Sequence, residues 1–520
     1  MPLHPEWCAS ARSCRLRPRG PVAILLALAL ATWMSAPIAA QQTDPDPGGH
    51  EMADAPLARL PAARTTEHEV DFGDRTLSFQ AIAGALTLTD DDGGAEAEIG
   101  YVAYLRDTPE PAERPVTFVV NGGPGAASAY LHLGVLGPWL LPMDDTRIVP
   151  SQPVDLIPNP ETWLDFTDLV FIDPVGTGFS RLIDDSDRMR RRYLSIDGDI
   201  DALAEVVRRW LTEHGRLAAP TYFVGESYGG FRGPLLAEAL QTDQGLALDG
   251  MVMLSPVLDF GWWQQPDHAP LPSVALLPSL AAAAMEESGT FSEAALREAE
   301  AYASGQYVTD LLAGLDDAQA VARVVDRVTA LTGLDREFVG RAAGRIGRAA
   351  FARELLRDEG MLASPYDTTI ASADPDPRAA WPHAADAVLD AMTAPLTRGI
   401  LAHHGETLDW LPERRYLLLN GGVNRAWDWG GGRGQPEAVG ALSRVLALDP
   451  DFETLVAHGY TDLVTPYFAS ELVLRQLPVA DAAERVRLET YRGGHMFYLD
   501  EASRSAFRAD ARALYAGEGG

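Results

Sequence analysis

The segment Gly225-Glu226-Ser227-Tyr228-Gly229 stands between two stretches of different character. Residues 221–224, Thr-Tyr-Phe-Val, are typical of a buried strand, and residues 231–240 have the composition of a helix. A serine between glycines at such a junction forms a sharp turn that holds its hydroxyl clear at the end of a sheet. The G-x-S-x-G pattern occurs once in the chain. It predicts that Ser227 is a nucleophile, with a chance turn as the alternative.

The apolar runs on both sides of this turn follow a β-α rhythm. Seven short runs suit buried strands: 116–120, 169–172, 221–224, 251–254, 417–419, 454–457 and 486–490. Regular alternation of such runs with helical stretches predicts a parallel sheet with helices on both faces. Together with the turn at Ser227, it predicts an α/β-hydrolase fold whose central sheet is mostly parallel.

Two stretches depart from this rhythm. Residues 67–106 alternate apolar and polar side chains around turn clusters, as antiparallel strands do. Residues 262–360 are rich in alanine, helical in period and nearly free of strand patterns. The predicted organisation is a signal peptide at 1–40, a flexible lead-in at 41–65, an α/β core at 66–261 and 361–520, and a helical cap insertion at 262–360.

The first forty residues have the features of a secretory signal. Four arginines at positions 12–19 precede an apolar run at 22–34 and small residues that end at Ala40. The run is short for a membrane span, so we expect cleavage near Ala40, with an uncleaved anchor as the alternative. The mature protein would be periplasmic or secreted and would have no stable membrane contact. Cys8 and Cys14 would leave with the signal, which removes disulfides and thiol chemistry.

The composition excludes several classes of function. The formal net charge is -32, and loss of residues 1–40, with four arginines and Glu6, would take it to -35. Such a surface repels phosphate backbones, so we expect no nucleic-acid partner. The chain has no lysine, no His-Glu-x-x-His motif and no cysteine pair in its mature part, and it therefore implies no metal and no cofactor. The sequence leaves open whether the protein forms a homodimer.

A serine nucleophile needs a histidine base and an acid that holds this histidine. In the predicted fold these partners follow in the order Ser, Asp, His, on loops after later strands. Asp462 comes shortly after the run 454–457, and His495 comes after the run 486–490, behind a glycine pair that lets the loop reach back. A turn-forming role is the alternative for Asp462. The weaker histidine candidates lie at a strand end or in a polar connection, where surface histidines are common: His458, His403 and His404.

An acyl-transfer site also needs donors for the developing oxyanion. The glycine-rich segment Asn121-Gly122-Gly123-Pro124-Gly125 follows the run 116–120, which is the position from which this fold presents one backbone N–H. We expect the N–H of Gly123 to act together with the N–H of Tyr228, the residue after the nucleophile. A phosphate-binding role for the glycine-rich segment is a weak alternative, because no lysine accompanies it.

Five motifs together give the sequence a specific resemblance. They are N-G-G-P-G at 121, D-P-V-G-T-G-F-S at 173, G-E-S-Y-G-G at 225, the G-x-x-D-x-x-T-P loop around Asp462, and G-H-M at 494. In this order and spacing they resemble the serine carboxypeptidase family, peptidase family S10, from about residue 67 onward. The absence of cysteine from the mature chain is similar to the bacterial branch of that family. The helical stretch at 262–360 resembles its cap domain.

The resemblance implies a role for each matching residue. Ser227, Asp462 and His495 would form the catalytic triad, and Gly123 and Tyr228 the oxyanion hole. The substrate would be a peptide with a free C-terminus, bound at Asn121, Gly122, Glu226 and Met496. A glutamic acid donates a hydrogen bond to a carboxylate only when protonated, so the resemblance also implies an acidic pH optimum. The alternative for Glu226 is a structural partner of the turn.

Some positions differ from the family pattern. Eukaryotic members often carry tryptophan two residues before the asparagine and a second glutamate near the site, where this chain has Val119 and Val135. These differences favour acyl hydrolysis in general over strict carboxylate recognition. An esterase or acyltransferase with the same triad is therefore the main alternative to a carboxypeptidase. A catalytically inactive binding protein on the same scaffold is the minor one.

Overall fold

The computed structural model describes residues 59–143, 147–263, 265–266, 268–379, 385–430 and 434–517. The predicted signal peptide at 1–40 and most of the predicted lead-in at 41–65 lie outside these residues. Residues 56–520 form one compact unit. None of the described helices is long and apolar enough to cross a membrane.

A large central sheet organises this unit. Its nine longer strands are β1 (Arg64–Asp71), β2 (Thr76–Thr89), β3 (Ala95–Arg106), β4 (Val116–Val120), β5 (Asp168–Ile172), β6 (Thr221–Glu226), β7 (Gly250–Leu254), β8 (Glu453–Gly459) and β9 (Val486–Tyr491). Their spatial order is β1-β2-β3-β5-β4-β6-β7-β8-β9, and a short strand, Arg181–Leu182, also pairs with β3.

The strand directions agree with the sequence patterns. The first three strands are antiparallel to their neighbours, as predicted for residues 67–106. The other six strands run parallel to one another. Strands β4, β5 and β7 are buried along their whole length, which explains their uninterrupted apolar sequences. The α/β-hydrolase fold predicted from the sequence is confirmed.

Helices cover both faces of this sheet. Those outside the 262–360 stretch are Asp187–Tyr193, Ile196–Glu213, Tyr228–Ala239, Leu389–Ala402, Gly421–Ala426, Val439–Leu448, Tyr467–Leu474 and Glu501–Tyr515, besides helical turns of three to five residues. Two separate apolar clusters fill the space between the helices and the sheet. One contains Tyr228, Phe231 and Phe260, and the other contains Tyr130 and Tyr498.

Six helices lie within the described part of the stretch 262–360, after β7. They are Leu271–Glu287, Glu293–Tyr302, Val308–Ala313, Ala318–Thr332, Arg336–Arg341 and Arg348–Leu355. They form an apolar cluster of their own, which reaches the core through Leu463, Tyr467 and Phe468. This is the stretch for which we predict a cap at 262–360, and the position of a helical cluster directly after a central strand is compatible with that function.

Two sequence expectations are wrong. Residues 417–419 are not a strand of the sheet, because Leu417 and Leu419 pair only through isolated bridges with the loops that follow β5 and β4. An apolar run that crosses loops has the same composition as one that enters a sheet. His403 and His404 are not surface histidines either, since both are almost fully buried.

Candidate active site

Ser227 occupies a strained turn between β6 and the helix Tyr228–Ala239. Its φ of 60° and ψ of -120° place it where L-residues are rare, as expected for a serine held clear at the end of a sheet. Its own N–H donates to the carbonyl of Leu254, at the end of the adjacent strand β7, over 2.8 Å. A Cβ on Gly225 would lie 2.1 Å from the carbonyl oxygen of Gly229, so the glycine at position 225 is required by close approach of the backbone.

Asp462 and His495 come together on the loops after the two neighbouring strands. His495 Nδ1 and Asp462 Oδ2 are 2.8 Å apart. Both side chains are buried. Among the described residues no hydrogen bond joins His495 to the Ser227 hydroxyl, a contact that in ligand-free enzymes is often long and tightens with substrate.

A dense set of donors fixes the carboxylate of Asp462. The N–H groups of Val464 and Thr465 donate to Oδ1 over 2.7 and 2.9 Å, and the Thr465 hydroxyl donates to Oδ2 over 2.7 Å. The same hydroxyl lies 3.0 Å from His495 Nδ1. With this many donors the carboxylate has one orientation, and it holds the ring of His495 in that orientation.

The backbone of His495 is held as firmly as its ring. Its N–H donates to the carbonyl of Tyr366 over 2.5 Å, and its carbonyl accepts from the hydroxyl of Ser255 over 2.9 Å. The ring meets the ring of Tyr366 edge-on at 5.4 Å. A Cβ on Gly494 would lie 2.0 Å from the Tyr366 carbonyl oxygen, which explains the glycine before the histidine.

The electrostatic surroundings of His495 favour its protonated form. Burial lowers the pKa of the imidazole, but the charge and hydrogen bond of Asp462, together with the nearby Glu226, more than compensate, so the net pKa is raised. A base with a raised pKa takes up the serine proton readily and is neutral only at higher pH.

The glycine-rich loop after β4 lies directly against the turn at Ser227. A Cβ on Gly122 would be 2.5 Å from the Tyr228 nitrogen, so the two segments approach as closely as backbones can. Gly123 has a φ of 102° and is exposed. Within the described part of the chain, the N–H groups of Gly123 and Tyr228 have no hydrogen-bond acceptor outside regular secondary structure. Two free donors beside a serine can stabilise a tetrahedral oxyanion.

The segment 417–420 fixes the far end of this loop. The carbonyl of Leu418 accepts from the N–H of Ala127 over 2.8 Å, and the N–H of Asn420 donates to the carbonyl of Gly125 over 2.8 Å. The run wrongly predicted as a strand therefore acts as a brace for the loop that carries Gly123.

A buried polar cluster lies on the other side of the turn. Glu226 and Asn121 are 2 % and 3 % exposed. Asn121 Nδ2 and the hydroxyl of Tyr498 both donate to Glu226 Oε2, each over 2.9 Å. Burial raises the pKa of Glu226 to about 7, against the opposing effects of His495, Tyr498 and Asn121. Because both donors use Oε2, Oε1 is free to carry a proton.

Two further side chains border this cluster. Met496 is buried in the same apolar cluster as Tyr130 and Tyr498. The hydroxyl of Tyr130 is buried and has no hydrogen-bond partner within the described structure, and burial, with smaller effects of Tyr366 and Glu226, raises the pKa of this phenol. Among the described residues there is no group of three or more histidine, cysteine, aspartate or glutamate side chains that could hold a metal ion.

The part of the chain that carries this loop and turn matches a known protein family. A model described as serine carboxypeptidase matches residues 74–261, which include Asn121 and Ser227. Over this range the chain is similar to the serine carboxypeptidase family. The matched range ends before Asp462 and His495, so the placement of these two residues beside each other comes from the structure alone.

Curated relatives of the chain include proteins of Arabidopsis thaliana. Serine carboxypeptidase-like 5 is 27% identical over 176 residues, which are 32% of this chain and 38% of that protein. Serine carboxypeptidase-like 13 is 29% identical over 175 residues, with the same coverage of 32% and 38%. Serine carboxypeptidase-like 50 is 34% identical over 131 residues, 25% of this chain and 27% of that protein. The chain thus matches well under half the length of these relatives.

Similar solved structures include a proline iminopeptidase of Mycobacterium smegmatis and esterase E22. The first has a TM-score of 0.34 at 13% sequence identity and covers 87% of this chain and 100% of that chain. The second has a TM-score of 0.35 at 12% identity and covers 87% of this chain and 99% of that chain.

The structure brings the site residues predicted from the sequence into one region. Ser227, Gly122, Gly123 and Tyr228 meet at the turn, while Asn121 and Glu226 are in direct contact. Asp462 contacts His495, and Met496 follows it. Sequence reasoning missed Thr465 and Tyr498, which hold Asp462 and Glu226. A weak signal existed for both, because each stands three residues after a predicted triad member.

Proposed function

We propose that the protein is a serine carboxypeptidase that releases C-terminal residues from peptides through an acyl-enzyme on Ser227. The observation that carries this proposal is the buried pair of Asn121 and Glu226 beside the nucleophile turn. An acid whose pKa is raised to about 7 keeps its proton in weakly acidic solution and can donate it to a carboxylate. An esterase has no need for such a group.

In the proposed reaction, the terminal carboxylate of the peptide accepts hydrogen bonds from protonated Glu226 and from Asn121. The Ser227 hydroxyl attacks the last peptide carbonyl, and its proton passes to His495 Nε2. The carbonyl oxygen becomes an oxyanion, which the N–H groups of Gly123 and Tyr228 stabilise. His495 then gives the proton to the departing amine, and the terminal residue leaves as a free amino acid.

A water molecule completes the turnover. His495 takes a proton from this water, the resulting hydroxide attacks the acyl carbon, and the proton returns to Ser227 as the acyl group leaves. Asp462 remains ionised throughout and stabilises the imidazolium that forms twice in each cycle. No step in this scheme requires a metal or an organic cofactor.

The cellular setting belongs to the same proposal. The signal-like residues 1–40 support export to the periplasm or the medium, and the strongly acidic composition supports a mature protein that does not bind nucleic acid. The helical cluster between β7 and β8 would cover the site, so that the enzyme trims exposed peptide ends and spares folded proteins.

The second candidate is an esterase or acyltransferase that uses the same triad. Val119 and Val135, which stand at the positions where many eukaryotic members carry tryptophan and glutamate, are fully buried and apolar. These valines cannot form hydrogen bonds with a carboxylate, so its recognition would depend on Asn121 and Glu226. Such reduced recognition of a carboxylate favours the second candidate. A binding protein without catalysis is disfavoured by the hydrogen-bonded His495 and Asp462.

A two-step experiment tests the proposal. A fluorophosphonate probe should label the purified protein on Ser227, whereas Ser227→Ala should remain unlabelled and Ser304→Ala, at an exposed cap serine, should label like the parent. Next, matched peptides with a free or an amidated C-terminus are incubated with the enzyme and read by mass spectrometry. Faster cleavage of the free acids supports a carboxypeptidase. Equal rates would make the esterase the better candidate, and absence of labelling would exclude both enzymes.

A further inference from the structure

A wall of aromatic rings leads from the oxyanion residue towards the cap. The ring of Tyr228 packs edge-on against Trp429 at 5.5 Å. Trp429 contacts Phe260 at 4.9 Å, and Phe260 contacts Trp263 at 5.6 Å. Trp263 and Trp429 are only partly buried. Tyr228 and Phe260 are buried, so the two tryptophans are the part of the wall that a bound molecule can reach.

Arg348 stands at the end of this wall, at the first residue of the cap helix Arg348–Leu355. Its guanidinium lies 5.0 Å from the centre of the Trp263 ring. Its Nη1 is 3.5 Å from the carbonyl oxygen of Val464, which also accepts from Trp263 Nε1. Val464 belongs to the loop whose N–H groups hold Asp462. The guanidinium is thus placed next to the triad.

No carboxylate of the described residues pairs with Arg348. Two other arginines of the cap, Arg336 and Arg341, pair with Asp326 and Glu337, while Arg345 donates to backbone carbonyls. The side chain of Arg348 is exposed, yet the surrounding protein lowers its pKa, although Tyr366 and Asp462 oppose this effect. In a chain of net charge -32, an exposed guanidinium without a carboxylate partner attracts an anion.

The two sides of Ser227 show which part of a peptide reaches this cation. Glu226 accepts a hydrogen bond from Tyr498, which packs in the apolar cluster on one face of the sheet. Tyr228 and the aromatic wall pack against the apolar cluster on the other face. A peptide whose terminal carboxylate contacts Glu226 has its last residue on the first side. The acyl part, beginning with the penultimate residue, extends along the wall towards Arg348.

We propose that Arg348 binds the side-chain carboxylate of an acidic residue at the penultimate position of the substrate, while Trp263 packs against the aliphatic part of that side chain. This inference rests on the proposed carboxypeptidase function and names its preferred substrates as peptides that end in Glu-X or Asp-X. A guanidinium positioned over an indole ring is preorganised for a carboxylate, and so binding costs little ordering of the side chain.

A structural role is the competing explanation for Arg348. Its contacts with Trp263 and Val464 join the cap to the core, and a tether of this kind would matter equally for every substrate. The two explanations differ in one measurable quantity, the ratio of kcat/KM for peptides that differ only by Glu or Gln at the penultimate position. A tether leaves this ratio unchanged when Arg348 is replaced, whereas a carboxylate contact does not.

The experiment compares four proteins on such peptides. The parent should cleave the Glu peptide about tenfold faster than the Gln peptide in kcat/KM, the size expected for one charge-assisted hydrogen bond. Arg348→Gln should bring the ratio close to one. Arg348→Glu should cleave the Glu peptide more slowly than the Gln peptide, and it should prefer a peptide with Lys at the same position. Arg341→Gln removes the same charge from the cap and should keep the ratio of the parent. A ratio that is the same in the parent and in Arg348→Gln would overturn the inference.

Two further arms separate this inference from the proposed function. Moving the Glu/Gln pair to the terminal position should give a ratio near one, and dependence there instead would refute the placement on the acyl side. Affinities of the same peptides for Ser227→Ala and for Ser227→Ala with Arg348→Gln, measured by calorimetry, do not require turnover. An acidic preference in binding that disappears without Arg348 supports the inference even if hydrolysis is found on other substrates. Equal affinities refute it and leave the carboxypeptidase proposal standing.

Discussion

The proposed role of Glu226 predicts how the cleavage of peptides depends on pH. With a pKa of about 7, the fraction of Glu226 that carries a proton falls from about nine tenths at pH 6 to about one tenth at pH 8. Only the protonated acid can donate to a terminal carboxylate. We therefore expect kcat/KM for peptides with a free C-terminus to fall about tenfold between these two pH values, relative to amidated peptides of the same sequence.

The comparison with amidated peptides removes the contribution of His495. Both substrates need the neutral imidazole, so both lose activity in the same way as pH falls through its pKa, and this effect cancels in the ratio of the two kcat/KM values. Free-acid peptides should thus have the more acidic optimum. Glu226→Gln places a donor at the same position at every pH, and its ratio should be constant. Glu337→Gln, an exposed carboxyl on the cap, serves as the control.

The stability of the folded protein provides an independent reading of the same pKa. The unfolded carboxyl ionises near 4.5 and the folded one near 7, so stability is fully present below pH 4.5 and is lost as pH rises to 7. This difference of 2.5 units corresponds to about 3 kcal/mol. The free energy of unfolding in urea, taken as Glu226→Gln minus parent, should therefore be higher at pH 8 than at pH 4, by up to that amount. A free-to-amidated ratio that is flat from pH 6 to 8 in the parent would refute carboxylate recognition by Glu226.

Three other substitutions test further parts of the site and the core. Asp462→Asn should lower kcat on an ester about 10⁴-fold, since the amide holds His495 in the wrong tautomer, and an unchanged circular dichroism spectrum is the control. Gly122→Ala puts a Cβ 2.5 Å from the Tyr228 nitrogen, so kcat/KM should fall at least about 100-fold on free and amidated peptides alike, and a loss below tenfold would contradict the oxyanion assignment. Burial lowers the pKa of His404 from 6.5 to about 4, so this group should lower the free energy of unfolding of the parent by about 3 kcal/mol as pH falls from 6.5 to 4. His404→Phe should lose that much less in urea unfolding, and equal losses would disprove the reasoning.

The sequence was informative wherever a local pattern determines the structure. The buried strands β4, β6 and β7 were indicated by apolar runs that alternate with helical stretches, and the turn at Ser227 needs its glycines for reasons visible within five residues. Because the order Ser, Asp, His is fixed by the fold, the later strand ends indicated Asp462 and His495 without any structural data.

Contacts between distant segments left no such trace. Leu418 contacts Ala127 across nearly 300 residues, and the run around it looked like a strand because composition does not reveal what an apolar side chain packs against. His403 was expected in a polar connection at the surface, yet its Nε2 lies 2.6 Å from the hydroxyl of Tyr104 in the interior. Arg348 could not be distinguished from other cap arginines by sequence, since only the structure shows that it has no carboxylate beside it.

Glu226 and His495 place opposite demands on one small volume. An ionised Glu226 would repel the substrate carboxylate and so weaken peptide binding, whereas His495 acts as a base only when it is neutral. Once the terminal amino acid has left, however, the acyl-enzyme carries no carboxylate at Glu226, and deacylation needs only a neutral His495. The loss of activity above pH 7 should therefore appear in kcat/KM and be absent from kcat for peptides whose deacylation is slow, as shown by a burst of amino acid in the first turnover. If kcat of a substrate that shows such a burst fell with the same apparent pKa as kcat/KM, Glu226 would have to act on the acyl-enzyme itself. Its role would then not be limited to the terminal carboxylate.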